Sequence, residues 1–454
     1  MGVPPTTRLV VSGVLNAHDS PLTARSSHYL LPMTDSPTPP RQTEIFLAGV
    51  RGKRPRVPVD PVRLEQKARR VMTRQAFAYV AGGAGSEETV RANREALERW
   101  RIVPRVLRDV SARDTSVELF GRRIPAPIVL SPLGVMELVH PASDLAVARA
   151  AAWLGLPMVF SSQASVPMER CAARMGDGPR WFQLYWSRDD ELVESFVQRA
   201  EACGCEAIVL TLDTTLLGWR PRDLDLAYLP FLQGKGIAQY TSDPVFMAKL
   251  DAPLDGPAPV RGRLTIKALR SAMSMAKALP GSRLRNLRQG RALRAVRRFV
   301  ATYSRPSLGW SDLAWLRERT RLPIVLKGVL HADDARRAID AGVDGVFVSN
   351  HGGRQVDGAI AAIDALPSVV EAIGGRVPVL MDSGVRGGAD VFRALALGAT
   401  AVGIGRPWAY GLAIAGAAGV REVLANITAE LELTMGLAGC ASVSEIRSES
   451  LKQV

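Results

Sequence analysis

Eight short apolar runs alternate with helical segments after Pro125, and every run ends in a polar residue or a glycine. Together these predict an α/β chain closed into a TIM (β/α)8 barrel. A third observation completes the outline: one connection, between the fourth and fifth runs, exceeds a hundred residues. A doubly wound open sheet is the alternative, but eight evenly spaced units are many for it.

The elements follow in order. Residues 1–60 are rich in Pro, Ser, Thr and Arg without a sustained period, so they are expected to be a disordered or irregular extension. Met33 is an in-frame alternative start within it. The spacing of Leu64, Ala68, Val71 and Phe77 predicts a helix from Pro61 to about Ala78. The stretch 79–84 breaks it, and a second helix runs roughly 87–99. The barrel domain then occupies 61–454. Its strands are 128–130, 158–160, 181–185, 207–212, 324–326, 345–348, 379–381 and 401–404. Helical segments at 142–154, 189–202, 332–341, 363–373 and 389–397 fill most of the gaps. The long connection contains an insertion at 232–306, expected to be functional or mobile.

Composition narrows the function. The chain has 454 residues, 47% hydrophobic and 22% charged, which suits a large globular domain. Its four cysteines form neither a metal pattern nor a disulfide framework, which fits a reducing cytoplasm. No apolar run reaches the length of a membrane span, and Leu9–Leu15 is too short and poorly flanked for a signal peptide. The net charge is +14, yet Arg261–Arg305 holds thirteen Lys or Arg and no Asp or Glu. The basic character therefore belongs to one segment. Within it, Leu293, Val296 and Phe299 share a helical face among arginines, so a basic amphipathic helix on an anionic membrane is one reading. A solvated lid is the other. Nonspecific nucleic-acid binding is a third possibility, but only Phe299 and Tyr303 could stack on bases.

Chemistry in a barrel collects at strand ends. The sixth strand delivers Ser349-Asn350-His351 and then Arg354 into a glycine-rich turn. His351 can titrate near neutrality, and Arg354 can grip a carboxylate through two parallel hydrogen bonds. Strands seven and eight end in Asp382-Ser383-Gly384-Val385-Arg386 and Gly405-Arg406, a phosphate cradle of backbone N–H groups, a helix N-terminus and arginine. No GxGxxG follows the first strand, so the cofactor is expected to be phosphorylated but not a dinucleotide. Lys327, at the end of the fifth strand, admits two roles: a Schiff-base lysine, or a fixed positive charge beside a flavin.

The motifs SNHGGRQVDG, WFQLY, TLDT, VLKGV, DSGVRGGADVFRALALGA and GIGRP resemble the FMN-dependent 2-hydroxy acid oxidases and dehydrogenases, over roughly 41–445. YVAGGAGSEETVRAN, SPLGVMEL, LGWRPRDL and YTSDPVF are similar to the lactate 2-monooxygenase branch. The resemblance implies FMN, with Lys327 beside its ring. It implies His351 as catalytic base, held and made more basic by Asp213, with Arg354, Arg220 and Tyr79 on the substrate carboxylate. Tyr185 would bond the substrate oxygen. Pro132, Leu133, Gly134, Ser161, Gln183, Thr211, Ser349, Asp382 and Ser383 would hold the flavin ring and ribityl chain. Gly384, Val385, Arg386, Gly405 and Arg406 would hold the phosphate. Read without the resemblance, Tyr79 could merely cap a helix and Asp213 could pair with Arg220 alone. The implied reaction is oxidation of a small L-2-hydroxy acid, L-lactate first, with O2 as acceptor. The alternative is a dehydrogenase passing electrons to a quinone or cytochrome at the inner face of the membrane. The family implies a homotetramer.

Overall fold

The computed structural model describes Gly2 and residues 40–253, 266–277 and 279–454. The expectations for 3–39, which include Met33, the apolar stretch 9–15, His18 and His28, lie outside the described residues, as do those for 254–265.

The eight apolar runs form eight parallel strands. They are β1 (Ile128–Leu130), β2 (Met158–Phe160), β3 (Arg180–Leu184), β4 (Ile208–Thr211), β5 (Ile324–Val329), β6 (Gly345–Val348), β7 (Val379–Met381) and β8 (Ala401–Ile404). Each pairs with its sequence neighbours, and β8 closes on β1 with Val402 opposite Ile128 and Ile404 opposite Leu130. Side chains alternate across each strand. Val129, Val159, Trp181, Val209, Val325, Phe347 and Leu380 fill the barrel interior, while their neighbours pack outward on the helices. Both faces are buried, which is why the strands read as unbroken apolar runs. A hairpin of Val117–Leu119 and Arg122–Ile124 plugs the lower end, with Phe120 edge-on to Trp181.

Helices cover the barrel: α5 (Ser143–Leu154), α6 (Met168–Met175), α7 (Asp190–Ala202), α14 (Asp312–Arg319), α15 (Ala332–Asp340), α16 (Ala362–Ile373), α17 (Gly388–Ala396) and α18 (Arg406–Ala438). By length and composition α18 could cross a membrane, contrary to the reading of the sequence. Here it is a wall of the core: it is kinked at Ala415–Gly416 and packs on α2 (Pro61–Val71), α5 and α17.

Three N-terminal features differ from expectation. Pro40–Val50 is a helix, α1, lying on α18, with Arg41 Nε donating to Asn426 Oδ1 at 2.9 Å. The single helix expected over 61–78 is two, α2 (Pro61–Val71) and α3 (Arg74–Ala81). The chain breaks at Thr73, whose hydroxyl accepts the N–H of Ala76 and caps α3. Helix α3 therefore continues through Tyr79 and ends at Gly82. Helix α4 (Glu88–Glu98) follows.

The long connection after β4 carries α8 (Pro221–Asp225), α9 (Ala238–Thr241), α10 (Pro244–Ala248), α11 (Ile266–Lys277), α12 (Arg283–Arg288) and α13 (Arg291–Thr302). The apolar face of α13 is spent inward. Val296 and Phe299 are buried, and Phe299 sits edge-on to Tyr240 and stacked on Tyr303. Of the face expected for a membrane only Leu293 is exposed, near Leu284 and Val300 of the same segment.

Candidate active site

A cavity lies at the C-terminal mouth of the barrel, lined by residues from the ends of the strands. The loop after β6 dominates it and is built to stay put. Asn350 and Asn93 of α4 exchange amide hydrogen bonds at 2.8 and 2.9 Å, both buried. Asp357 accepts the N–H groups of Ser86 and Thr89 at the start of α4, where a carboxylate is favoured. Gly353 has φ +76°, and a Cβ there would stand 2.7 Å from the Val90 nitrogen, so no other residue fits. His351 itself takes a positive φ of 58°. Its N–H donates to Ser349 Oγ, and the N–H of Gly352 donates to Ser383 Oγ, which holds the strained turn.

His351 Nδ1 lies 2.9 Å from Asp213 Oδ1. A carboxylate there fixes the proton on Nδ1 and leaves Nε2 as the free lone pair. Burial works against the Asp213 charge, but His351 and Lys327 together hold the carboxyl below its ordinary range. For His351, burial outweighs Asp213, with Lys327 and Arg220 adding to it, so its pKa lies below the usual imidazole value. Asp213 does raise the His351 pKa, as the sequence reading has it, but desolvation of the buried ring takes the net shift the other way. The consequence is a neutral imidazole at neutral pH.

Arg354 and Arg220 meet at the same wall. Arg354 Nη1 donates to the carbonyls of Tyr79 and Gly82 at 2.6 and 2.8 Å, and its guanidinium lies over the Tyr79 ring. Arg220 Nε donates to the Arg354 carbonyl, and its Nη2 to Gln355 Oε1. No described residue bonds Arg354 Nη2 or Arg220 Nη1. Burial raises the Tyr79 and Tyr185 hydroxyls above their ordinary values, so both are neutral donors. Tyr79 thus does more than end a helix, and Asp213 pairs with His351 rather than Arg220.

Lys327 is buried, with Nζ 2.6 Å from Ser349 Oγ and 3.2 Å from Asp382 Oδ2. Ser131 and Ser349 donate to the same Asp382 carboxylate. A lysine so paired is a fixed cation, not a free amine nucleophile. Gln183, Thr211 and Ser349 do not line the cavity. Ser161 donates to Gln183, and Gln183 to Thr211, so they brace the wall from behind. Pro132, Leu133, Gly134, Ser161, Asp382 and Ser383 do line it.

The cradle expected after β7 and β8 fits an FMN phosphate. Arg386 and Val385 line the cavity, and the N–H groups of Gly384 and Val385 bond no described residue. A Cβ on Gly405 would meet nothing within 4 Å, so the space beside it is open. Arg406 lines the cavity as well. Its guanidinium also donates to the carbonyls of Val80, Gly82 and Gly352, so it ties α3 and the histidine loop to α18. The sequence reading missed Met136, Gln163 and Val80 as lining residues. Each had some signal: Met136 lies inside SPLGVMEL, Val80 inside YVAGGAGSEETVRAN, and Gln163 just past a strand end.

A neutral histidine on a carboxylate, two unspent guanidinium edges, two tyrosine hydroxyls, a buried lysine and a phosphate seat define a flavin-type α-hydroxy acid oxidoreductase. Among the described residues no cluster of His, Cys, Asp or Glu suits a metal. The chain matches the FMN-dependent dehydrogenase family over residues 68–453 and belongs to it. It is 42% identical to the L-lactate oxidase of Lysinibacillus sphaericus, over 83% of this chain and 88% of that protein. It is 41% identical to the FMN-dependent alpha-hydroxy acid dehydrogenase qulF of Penicillium citrinum, over 91% and 95%. A crystal structure of mandelate oxidase with (S)-4-hydroxymandelic acid superposes with a TM-score of 0.71 at 38% identity, covering 87% of this chain and 98% of that one. The protein is an FMN-dependent 2-hydroxy acid oxidoreductase.

Proposed function

We propose that the substrate is a small L-2-hydroxy acid, L-lactate foremost, and that O2 takes up the electrons. One observation carries this reading: His351, Arg354, Arg220, Tyr79 and Tyr185 converge on one cavity beside a phosphate seat. The 42% identity to an L-lactate oxidase supports the choice of acid.

When bound, FMN supplies the two-electron acceptor. The free edges of Arg354 and Arg220 and the Tyr79 hydroxyl clamp the substrate carboxylate. The Tyr185 hydroxyl donates to the substrate oxygen. His351 Nε2 receives a proton from the substrate, and Asp213 stabilises the imidazolium that results. Lys327 offers positive charge at the flavin edge. In a closed site, lactate and O2 give acetate, CO2 and water, as the lactate 2-monooxygenase-like motifs favour. If pyruvate leaves first, the products are pyruvate and H2O2.

The test is a yellow holoenzyme mixed with L-lactate. Anaerobic bleaching is expected, followed under air by acetate, or by pyruvate with peroxide. A flavin that stays oxidised would remove lactate as substrate. Faster turnover with a quinone analogue than with O2 would remove O2 as acceptor.

We place the enzyme in the cytoplasm as a homo-oligomer, tetrameric by its family. The second acceptor reading, a quinone or cytochrome reached at the membrane, keeps one observation in its favour. Leu284 and Leu293 stand exposed among Arg283, Arg285 and Arg288. Co-sedimentation with anionic vesicles at low salt is its measure, and a protein left wholly in the supernatant would end it.

A further inference from the structure

The carboxylate clamp has a resident anion. Asp223 lies three residues after Arg220, the residue that precedes α8, and its N–H donates to the Arg220 carbonyl at 3.1 Å. The residue is only 8% exposed. Its Oδ1 is buried and has no hydrogen-bond partner among the described residues. Among the described residues the other carboxylate oxygen in this state is Oδ2 of Asp213, itself in the active site. Carboxylates with no part in the substrate pocket's charge are well bonded: Asp243 accepts from Ser195, Arg199, Val245 and Phe246. A carboxylate oxygen buried without a donor is costly, so a purely structural residue would be bonded.

What faces it is charge. Arg354 on the histidine loop acts on it most strongly, then Arg220 just before α8 and Arg222 within it. The Tyr79 and Tyr228 hydroxyls also feel it. Burial raises its carboxyl, and the three guanidiniums pull the other way. Arg222 is already paired with Glu87 at 2.5 Å, which leaves Arg354 and Arg220 as the charges Asp223 offsets.

We propose that Asp223 is a positioning residue that partly neutralises the Arg220–Arg354 clamp and so limits how tightly it holds substrate and product carboxylates. The proposal rests on the reading of this cavity as a 2-hydroxy acid site. Two adjacent guanidiniums alone would hold any carboxylate, reactant or product, with equal strength. Such uniform binding does nothing for the chemical step and delays release of the 2-oxo acid. A fixed negative charge behind the pair loosens the grip without removing its geometry.

The test uses holoenzyme and follows the flavin absorbance change as oxalate binds, with lactamide as an uncharged control. Asp223→Asn should bind oxalate roughly 5- to 30-fold more tightly than the wild type, by loss of one like charge at close range. Its lactamide affinity should not move. Asp223→Glu, which keeps the charge, should bind oxalate like the wild type. Should the Asn variant not retain flavin, Asp223→Ser is measured in its place. Oxalate binding that is unchanged or weaker in the neutral variant, or equally tightened in the Glu variant, would overturn the proposal. A wild type that binds no oxalate and is reduced by no 2-hydroxy acid would instead overturn the reading of the site.

Discussion

The loops after β4 and β6 each supply one member of the His–Asp pair and one arginine, yet they are held in opposite ways. The β6 loop is short and braced from several sides: the Asn93–Asn350 exchange, the Asp357 cap on α4, and Arg354 on the ends of α3. The β4 loop opens a connection of more than a hundred residues and takes much of its shape from the β6 loop. Gln355 donates to the carbonyls of Asp213 and Leu216, Arg220 leans on Arg354 and Gln355, and a Cβ on Gly218 would strike the Arg354 carbonyl. Its outer face is apolar and exposed, with Trp219 at 72%. One loop is the template and the other is cast against it. Catalytic geometry should be robust on the first and adjustable on the second.

The sharpest way to break that comparison is His351→Gln. It should leave FMN bound, by its visible absorbance, and cut turnover by about 10⁴-fold. Substantial turnover would remove the base from the scheme. Next come the two arginines taken separately. Arg354→Met should lower kcat/KM by roughly 10³-fold and Arg220→Met by roughly 10²-fold, because only Arg354 also holds the Tyr79 and Gly82 carbonyls. Equal losses would mean that neither loop templates the other. Asp213→Asn should cost about 10²-fold in kcat. It should also move the acid limb of kcat/KM to lower pH. His351 acts neutral, so activity falls as pH drops through its pKa, and Asp213 is the group that raises that pKa. The smallest effect belongs to Gln355→Ala. We expect KM to rise about fivefold with kcat nearly intact, and faster amide exchange over 213–220 but not over 349–354.

The barrel was legible because its strands are buried on both faces, and burial writes itself as Val, Ile, Leu and Phe without interruption. Five of the eight, among them Gly345–Val348, match to the residue. The substrate-facing residues were legible as well, since His351 and Arg354 follow a strand end within six residues. What could not be read was where long side chains turn. Arg406 ends strand eight and lines the cavity, but no local pattern shows that three carbonyls from α3 and the β6 loop also claim its guanidinium. Val296 and Phe299 look like a membrane face in a string of arginines, and only the fold reveals Tyr240 beneath them. The pKa of His351 likewise depends on enclosure, which no local pattern encodes.

Arg406 begins the helix beside the phosphate seat and spends its hydrogen bonds on Val80, Gly82 and Gly352. Through that one residue the anchorage of the coenzyme and the shape of the acid's berth share a single keystone. Linkage is reciprocal, so whatever steadies one end must tighten the other. Protein stripped of flavin should therefore lose the order of its acid-binding lip before its barrel loosens, and a bound carboxylate should slow the escape of the coenzyme.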